Sequence, residues 1–442
     1  MRVKPTQIGL PFKFKGDALA SADATEHPVG SEQLMERVLS RENLLKALKR
    51  VERNKGAAGI DGMNTKQLRA HLKQHWPQIK EQLLCGAYQP QAVRRVEIPK
   101  PSGGRRKLGI PTVLDRFIQQ ALLQVLQAQW DESFSQFSYG FRPGRSAHQA
   151  VKQAQQYVKA GQRWVVDIDL EKFFDRVDHE KLMGKVRQRV SDPRVLRLIR
   201  GYLRCGVLVN DALHETVAGT PQGGPLSPLL ANLLLNELDQ ELERRGHCFV
   251  RYADDCNIYV GSRKAGERVK ASITRLLSYR LKLSVNEAKS AVARPWHRSF
   301  LGFTISWRTN RRVSLKAVKA LKQRVRAITR RTRGRSIDQI ISELRKYLTG
   351  WKLYYGIAQV RSMLRELDSW IKRRLRCYLW KQWGKSGYRQ LVKLGVTRDL
   401  AWNTCKSAHG PWRLSRSPAL AFALTARYFA KLGLPSLFAK PT

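Results

Sequence analysis

The sequence has 442 residues, with 82 Lys and Arg against 35 Asp and Glu, which gives a formal net charge of +47. A hydrophobic fraction of 42% is ordinary for a globular protein and argues against wholesale disorder. So large a positive excess would repel itself in a compact fold unless a polyanion neutralised much of it, which favours a nucleic-acid partner held over a long footprint. A ribosomal-type protein and a basic soluble enzyme are the alternatives at this level.

The cysteines and the apolar runs exclude several other classes of protein. Six cysteines form no C-x-x-C pair, which argues against a zinc ribbon or a disulfide scaffold and suits a reducing compartment. The longest apolar runs, such as Ala419–Leu424, are far shorter than the ~20 residues of a membrane span. Met1–Phe14 is basic but has no apolar segment of the secretory type. We expect a bacterial cytoplasmic protein that does not enter a membrane.

The first third of the chain alternates between helical and turn-rich patterns. Residues 1–30 are weakly periodic and predict a mobile leader, whereas a helical spacing of apolar residues begins at Ser31. A glycine-rich turn follows at Asn54–Gly62. The next predicted elements are a strand at Val93–Ile98, a basic glycine turn at Pro99–Arg106 and a helix at Asp115–Trp130.

Short apolar strands bounded by turn residues mark the middle of the chain. They lie at Trp164–Asp169, Phe249–Tyr252, Cys256–Val260 and Phe300–Ile305, and the second and third are close enough to form a hairpin. Helical patterns separate them, including one that begins with Ser227 as the expected N-cap and Pro228 after it. The pattern predicts an α+β domain over residues 31–310 with a small, mainly antiparallel sheet.

The charge pattern changes near the end of this domain. Residues 288–337 contain fifteen Lys and Arg and no Asp or Glu. Apolar residues from Leu315 to Ile328 follow a helical step, and cations occupy a separate face of the same predicted helix. We expect a helical domain at residues 311–385 and a basic C-terminal extension at 386–442.

Paired carboxylates at the predicted hairpin are the strongest chemical signal. Tyr252–Asp255 places Asp254 and Asp255 side by side at a tight turn, although Asp is common in turns for local reasons. Asp169 ends another apolar strand and can face this pair, and Asp167 lies on the same strand face as a weaker candidate. Carboxylates gathered at one point repel one another unless divalent cations lie among them. We therefore expect Asp169, Asp254 and Asp255 to hold two Mg²⁺ ions that activate a 3′-hydroxyl.

These motifs stand in the order found in reverse transcriptases. Asp169 with Phe173 and Phe174 comes first, then Gly219–Asn232, then Tyr252–Asp255. The sequence resembles the group II intron-encoded branch of that family, and the likeness extends from about Arg41 to the C-terminus. Further matching motifs lie at Ile98–Arg106, Leu108–Thr112, Tyr139–Gly144, Leu283–Lys289 and Phe300–Phe303.

The resemblance implies a right-hand polymerase, with fingers and palm followed by a helical thumb and maturase region. It also implies roles for the residues that match the family motifs. Phe174 matches a steric gate that excludes the ribose 2′-hydroxyl, although a core Phe is the alternative. The nucleotide contacts that the likeness implies are Lys100, Arg106, Gln222 and Lys289. The alternatives are ordinary basic surface for the three cations and a plain loop residue for Gln222.

Nucleic-acid contacts are expected from basic residues outside the nucleotide site. Arg142 in Tyr139–Gly144 could contact template phosphate, or it could hold a turn. Aromatic residues interleaved with cations in the C-terminal part suit stacking and phosphate contact with structured RNA. On the acid-free helix the expected contacts are Lys319, Arg326 and Arg330.

The expected activity is RNA-directed DNA synthesis on intron RNA, together with assistance to splicing and retrohoming. The expected partners are group II intron RNA, a primed RNA template with a DNA or RNA primer, dNTPs and target DNA; the oligomeric state is left open. A CRISPR-associated or otherwise domesticated reverse transcriptase and a splicing-only maturase are the alternatives. Many family members end in a DNA endonuclease domain with Cys pairs and His residues. Here His409 is the only histidine after His297 and no Cys pair follows, so we expect that domain to be absent.

Overall fold

The computed structural model describes residues 33–99, 104–209, 212–214, 218–220 and 223–438. The predicted leader and the predicted nucleotide contacts Lys100 and Gln222 lie outside the described residues. The chain forms two compact units that divide between Arg294 and Pro295, earlier than the boundary near residue 310 that the sequence suggests. Among the described residues, no helix has both the length and the apolar character needed to cross a membrane.

The first unit combines helices with two four-stranded sheets, which confirms the α+β class. Its strands are β1 (Val93–Pro99), β2 (Arg105–Ile110), β3 (Trp164–Ile168), β4 (Val207–Val209), β5 (Ala212–His214), β6 (Cys248–Tyr252), β7 (Asp255–Val260) and β8 (Ala291–Ala293). Its helices are α1 (Leu34–Val38), α2 (Arg41–Asn54), α3 (Leu68–Leu84), α4 (Val113–Trp130), α5 (Ala147–Lys159), α6 (Phe173–Arg176), α7 (His179–Arg187), α8 (Pro193–Arg204), α9 (Ser227–Arg244) and α10 (Arg263–Leu281).

The palm sheet has the strand order β6-β7-β3-β8, and all of its pairings are antiparallel. The other sheet, of order β2-β1-β4-β5, contains one parallel pair, β1 with β4. β-Branched and aromatic residues in β3, β6 and β7 pack on a single hydrophobic core, because their buried faces are covered by helices. Phe249, Ile258 and Val166 are completely buried in this core.

Helix α9 forms much of that core and crosses beneath the palm sheet's hairpin. All seven of its leucines are less than 4% exposed, so most of the helix surface is buried against the protein. Pro228 lies in its first turn, as the sequence predicts, but the N-cap is Leu226 and not Ser227. Ser227 is instead the first helical residue and is itself buried.

The second unit is almost entirely helical. A short hairpin of β9 (Phe303–Ile305) and β10 (Arg311–Val313) precedes the helices, and β9 occupies only the last part of the strand that Phe300–Ile305 predicts. The helices are α11 (Leu315–Ile328), α12 (Ile337–Tyr355), α13 (Arg361–Trp383), α14 (Gly387–Lys393), α15 (Arg398–Lys406), α16 (Pro411–Leu414), α17 (Pro418–Ala423) and α18 (Ala426–Lys431). This arrangement agrees with a helical thumb and maturase region after the polymerase fold.

Helix α13 organises the second unit through side-chain contacts with distant segments. Arg374 donates to the backbone carbonyl of Thr329, just beyond α11, at 3.1 Å. Asp368 is 6% exposed and accepts the backbone N–H of Leu437 at 2.9 Å. A buried carboxylate requires such donors, so the C-terminal segment is held firmly on α13.

Candidate active site

The hairpin of β6 and β7 ends in a turn of only two residues. Tyr252 pairs directly with Asp255, which leaves Ala253 and Asp254 as the turn. Ala253 has a φ of +58°, a left-handed conformation that is uncommon for a residue with a side chain. The turn therefore presents Asp254 and Asp255 at the end of the palm sheet, as the sequence predicts.

Asp169 lies beside this turn because of the register between β3 and β7. Ile168 at the end of β3 pairs with Cys256, so the next residue, Asp169, comes level with Asp255. The backbone of Asp169 is fixed on both sides: its N–H donates to Ser290 Oγ at 2.9 Å, and its carbonyl accepts from the N–H of Asn286 at 2.8 Å. The three predicted carboxylates are thus brought to one end of one sheet.

Burial and neighbouring carboxylates both disfavour the charged forms of Asp254 and Asp255. Displacement of water raises the pKa of Asp255 to about 7, and Asp254, Asp167 and Asp169 all act in the same direction, although Asp255 keeps an exposed face. Displacement of water also raises the pKa of Asp254, where Arg106 opposes the shift and Asp169 adds to it. Negative charge is therefore concentrated here beyond what the nearby cations neutralise.

The carboxylates Asp169, Asp254 and Asp255 suit a Mg²⁺ ion that is also coordinated by substrate. Within the described residues, no three His, Cys, Asp or Glu form a group that could hold a metal ion by themselves. Mg²⁺ in nucleotide enzymes is usually bound by one or two carboxylates together with substrate phosphates and water, and does not need a closed protein cage. Hard carboxylate oxygens with unbalanced charge are the donors that such an ion prefers.

Two of the predicted nucleotide-binding cations lie near the carboxylates. Lys289 Nζ is 3.7 Å from Asp169 Oδ1, and the Lys289 side chain is 65% exposed. Arg106 on β2 is exposed and close enough to lower the pKa of Asp254. Both cations are therefore available beside the carboxylate cluster, where a triphosphate would require positive charge.

Phe173 and Phe174 are both buried in the turn of helix α6. Phe173 is 3% exposed and Phe174 is 8% exposed, and their rings meet edge to face with centroids 5.1 Å apart. The carbonyl of Phe174 accepts the N–H of Thr220 at 2.6 Å, which ties α6 to the segment that precedes Gln222. Both rings belong to the core, and the assignment of Phe174 as the gate stays a prediction.

The environment of Arg142 fits only one of the two roles predicted for it, that of holding a turn. Its side chain is 4% exposed and forms an ion pair with Asp131 at 2.8 Å. Its guanidinium also donates to the carbonyls of Asp131, Ser135 and Ser138. A guanidinium with this many internal acceptors is not presented to phosphate. This corrects the expectation that Arg142 contacts nucleic acid and supports the alternative, that it holds a turn.

In the second unit, the predicted RNA contacts Lys319, Arg326 and Arg330 are all exposed. Leu321, Val325 and Ile328 form the buried stripe of α11, so Lys319 and Arg326 lie on its outer surface, and Arg330 follows just after the helix ends. Arg326 also approaches the Trp370 ring, with 5.6 Å between the guanidinium carbon and the ring centroid. The cation face of the helix is therefore open to solvent, as the sequence predicts.

A buried charged group that the sequence patterns did not predict lies beneath the turn of Ala253 and Asp254. Arg251, the last residue but one of β6, has no exposed surface and pairs with Asp239 on α9. The signal was present in the sequence, because an arginine between Phe249-Val250 and Tyr252 in a core strand requires a buried partner.

Two family models match the chain. Residues 98–305 match "Reverse transcriptase (RNA-dependent DNA polymerase)", and residues 318–395 match "Group II intron, maturase-specific domain". Among solved structures, the chain is similar to a partial Cas6-RT-Cas1–Cas2 complex, with 26% identity and a TM-score of 0.36 over 56% of this chain and 42% of that chain. It is also similar to telomerase from Candida albicans, with 14% identity and a TM-score of 0.42 over 66% of this chain and 59% of that chain.

Curated relatives give the more specific likeness. Protein YkfC of Escherichia coli K12 is 39% identical over 51% of this chain and 61% of its own length. Group II intron-encoded protein LtrA of Lactococcus lactis subsp. cremoris is 43% identical over 37% of this chain and 27% of its own length. The chain thus spans less than two thirds of the length of either relative. The chain thus carries a reverse transcriptase region followed by a group II intron maturase-specific region, and it is similar in sequence to a group II intron-encoded protein.

Proposed function

We propose that this protein is an RNA-directed DNA polymerase that copies intron RNA into cDNA and binds the same RNA to assist splicing and retrohoming. The observation that carries the proposal is the convergence of Asp169, Asp254 and Asp255 at one end of the palm sheet. The two family models support both halves of the proposal, because the polymerase and maturase-specific regions occur in one chain.

The three carboxylates would hold Mg²⁺, which when bound lowers the pKa of the primer 3′-hydroxyl and neutralises charge on the leaving pyrophosphate. The protein's own part is positioning. The β3–β7 register fixes Asp169 level with Asp255, and the two-residue turn fixes Asp254 next to it. The substrates are then a primed RNA template and dNTPs.

Cations and an aromatic ring complete the proposed nucleotide site. Lys289 and Arg106 lie beside the carboxylates and would bind triphosphate oxygens. Lys100 and Gln222, which lie outside the described residues, are proposed as further nucleotide contacts. Phe174 would lie under the sugar, where its ring leaves no room for a 2′-hydroxyl. This arrangement selects dNTPs because a buried ring is held by packing and cannot move aside.

The second unit would supply affinity for intron RNA and target DNA. Its exposed cations on α11 suit phosphate contacts, which release counterions and give strength without sequence preference. Its aromatic residues beside Arg and Lys suit stacking with unpaired bases. Splicing assistance would follow if these contacts hold the intron in its folded form.

Substitution of a single carboxylate tests the polymerase assignment. Asp254→Asn, like Asp169→Asn and Asp255→Asn, is expected to abolish Mg²⁺-dependent extension of a DNA primer on an RNA template. Asp399→Asn, an exposed acid on α15 in the second unit, is the matched control and should extend the primer like the wild type. Normal extension by Asp254→Asn would refute the site.

A further inference from the structure

A charged side chain lies directly beneath the catalytic turn with no access to water. Arg251 on β6 has a fully buried side chain, and so does its ion-pair partner, Asp239 of α9. Arg251 Nε donates to Asp239 Oδ1 at 2.7 Å, and a terminal nitrogen donates to Oδ2 at 2.5 Å. This fork-to-fork geometry is the one in which a buried ion pair best offsets the loss of hydration.

The remaining guanidinium nitrogen of Arg251 points toward the turn. It donates to the backbone carbonyl of Ala253 at 2.9 Å and to the Asn232 side-chain carbonyl, also at 2.9 Å. Ala253 is the turn residue with the left-handed φ of +58°. Strained backbone of this kind persists only where surrounding contacts hold it in place. The Arg251 hydrogen bond is one such contact, made from the side facing the core.

The loop at residues 137–140 contacts the same turn from its other side. The backbone of Arg251 is hydrogen-bonded to this loop at both ends, to the Phe137 carbonyl and the Tyr139 N–H, each at 2.9 Å. Asn232 Nδ2 donates to the carbonyl of Gly140 at 2.8 Å. Gly140 packs so tightly on the Ala253 N–H that a side chain at this position would clash with the turn backbone. Asn232 and Arg251 therefore join helix, loop and turn into one hydrogen-bonded unit.

We infer that Arg251 is a positioning residue, which fixes the backbone of Ala253 and thereby sets where Asp254 and Asp255 stand relative to Asp169. The inference rests on the proposed polymerase function and extends it to residues that touch neither substrate nor metal. Helix α9 is fixed by its packing in the core. Hydrogen bonds from Arg251 to Asp239 and to the Ala253 carbonyl tie the turn to that helix, and so hold the turn carboxylates in place. An Arg is required because three acceptors in different directions need a planar fork.

Two variants separate positioning from mere stability. Arg251→Lys keeps the buried charge but cannot reach Asp239, Asn232 and the Ala253 carbonyl together. The double variant Arg251→Met with Asp239→Leu removes both charges, and apolar replacement of a buried pair commonly preserves stability. It also removes the donor to Ala253. Arg194→Lys is the matched control, because Arg194 makes a bidentate ion-pair network with Asp192 and Glu36 far from the turn in sequence.

Each protein is compared in Tm, in kcat and KM on a DNA primer annealed to an RNA template, and in affinity for Mn²⁺ by electron paramagnetic resonance. We expect Arg251→Lys and the double variant to lose about 10²-fold in kcat, the effect of misplacing a reacting group by about 1 Å. The KM for primer–template should stay unchanged, Mn²⁺ affinity should fall, and the double variant should melt near the wild type.

Wild-type kcat and Mn²⁺ affinity in the stable double variant would overturn the inference, because the turn would then hold its position without Arg251. A kcat loss in Arg251→Lys that disappears at lower temperature, in step with recovered folding, would overturn it as well. If the wild type itself extends no primer, the proposed polymerase function fails. Mn²⁺ affinity then still decides the positioning role, and equal affinity in wild type and Arg251→Lys would exclude it.

Discussion

The two compact units differ sharply in net positive charge and in the groups that surround their cations. Residues 295–442 contain 33 of the 82 Lys and Arg but only 5 of the 35 Asp and Glu, a net charge of +28 in one third of the chain. Residues 1–294 carry +19 over twice that length. The excess of charge that first suggested a nucleic-acid partner is therefore concentrated in the unit without the carboxylate cluster.

Two arginines near the candidate active site of the first unit form ion pairs with carboxylates inside the fold. Arg251 and Asp239 form a fully buried ion pair, and the buried Arg142 pairs with the partly exposed Asp131. The two guanidinium groups support the turn and the loop of the candidate active site. In these two pairs the positive charge organises backbone. It is already satisfied by internal acceptors, so these two arginines add little to attraction for RNA.

Cations in the second unit pack more often against aromatic rings. The Arg373 guanidinium lies 3.8 Å from the Trp412 ring centroid, and Lys406 lies 4.7 Å from that of Trp402. A ring does not cancel the charge of its cation, so the field toward solvent is kept. We therefore propose that the first unit carries out the chemistry and that the second unit binds RNA, so the two functions should be separable by mutation.

The largest expected effect is on RNA affinity. Charge reversal of Lys319, Arg326 and Arg330 to Glu should weaken RNA binding by about 10²-fold near physiological salt, because three phosphate contacts no longer release counterions. The slope of log affinity against log salt should become shallower by about 2–3. Filter binding over a salt series measures both quantities, and kcat at saturating RNA should remain that of the wild type.

The matched control reverses the same number of charges on the first unit, at the exposed residues Lys66, Lys73 and Lys80. A smaller loss in this variant shows that the α11 cations contact RNA directly. Equal losses of RNA affinity in the two variants would mean that net charge alone sets the affinity. The proposal that RNA binding belongs to the second unit would then be wrong.

A smaller effect is expected on sugar selection within the first unit. Phe174→Val should raise incorporation of ribonucleotides relative to deoxyribonucleotides by about 10-fold, because the shortened side chain leaves space for a 2′-hydroxyl. Single-nucleotide extension with dNTP or rNTP measures the ratio. Phe173→Val is the control, since it removes the same volume from the neighbouring buried ring. A change of ratio in the Phe173 variant alone would move the gate to Phe173.

The sequence predicted those parts of the site that depend on local pattern. Two apolar runs on either side of Tyr252–Asp255 fix a hairpin, and an Asp at the end of a third strand can only approach it if the strands share a sheet. The helical step from Leu315 to Ile328 likewise fixed which side of α11 carries the cations. These features need only nearest neighbours and periodicity.

What could not be predicted depends on partners distant in the chain. Arg142 and Arg251 look alike as cations near motifs, yet only the folded structure shows that Asp131 and Asp239 bury them. The parallel pairing of β1 with β4 joins segments more than a hundred residues apart, and no local pattern specifies it. Tertiary context also shifted the start of α9 by one residue, from the expected cap at Ser227 to Leu226.

The smallest expected effect is on stability and concerns Asp255 alone. The pKa of Asp255 in the folded protein is about 7, whereas an unfolded chain has an Asp pKa near 3.9. The folded state therefore binds this proton more tightly, and its stability falls as pH rises from about 4 to about 7, then stays low.

Asn does not titrate, so Asp255→Asn should raise the Tm of the protein in EDTA at pH 8 by a few degrees and leave it nearly unchanged at pH 4. Calorimetry at the two pH values measures this, with Asp399→Asn as the acid-to-amide control. A variant that melts no higher than the wild type at pH 8 would mean that neither burial nor repulsion from its neighbours penalises the charged form of Asp255. The first unit would then lack the unbalanced negative charge that sets it apart from the second.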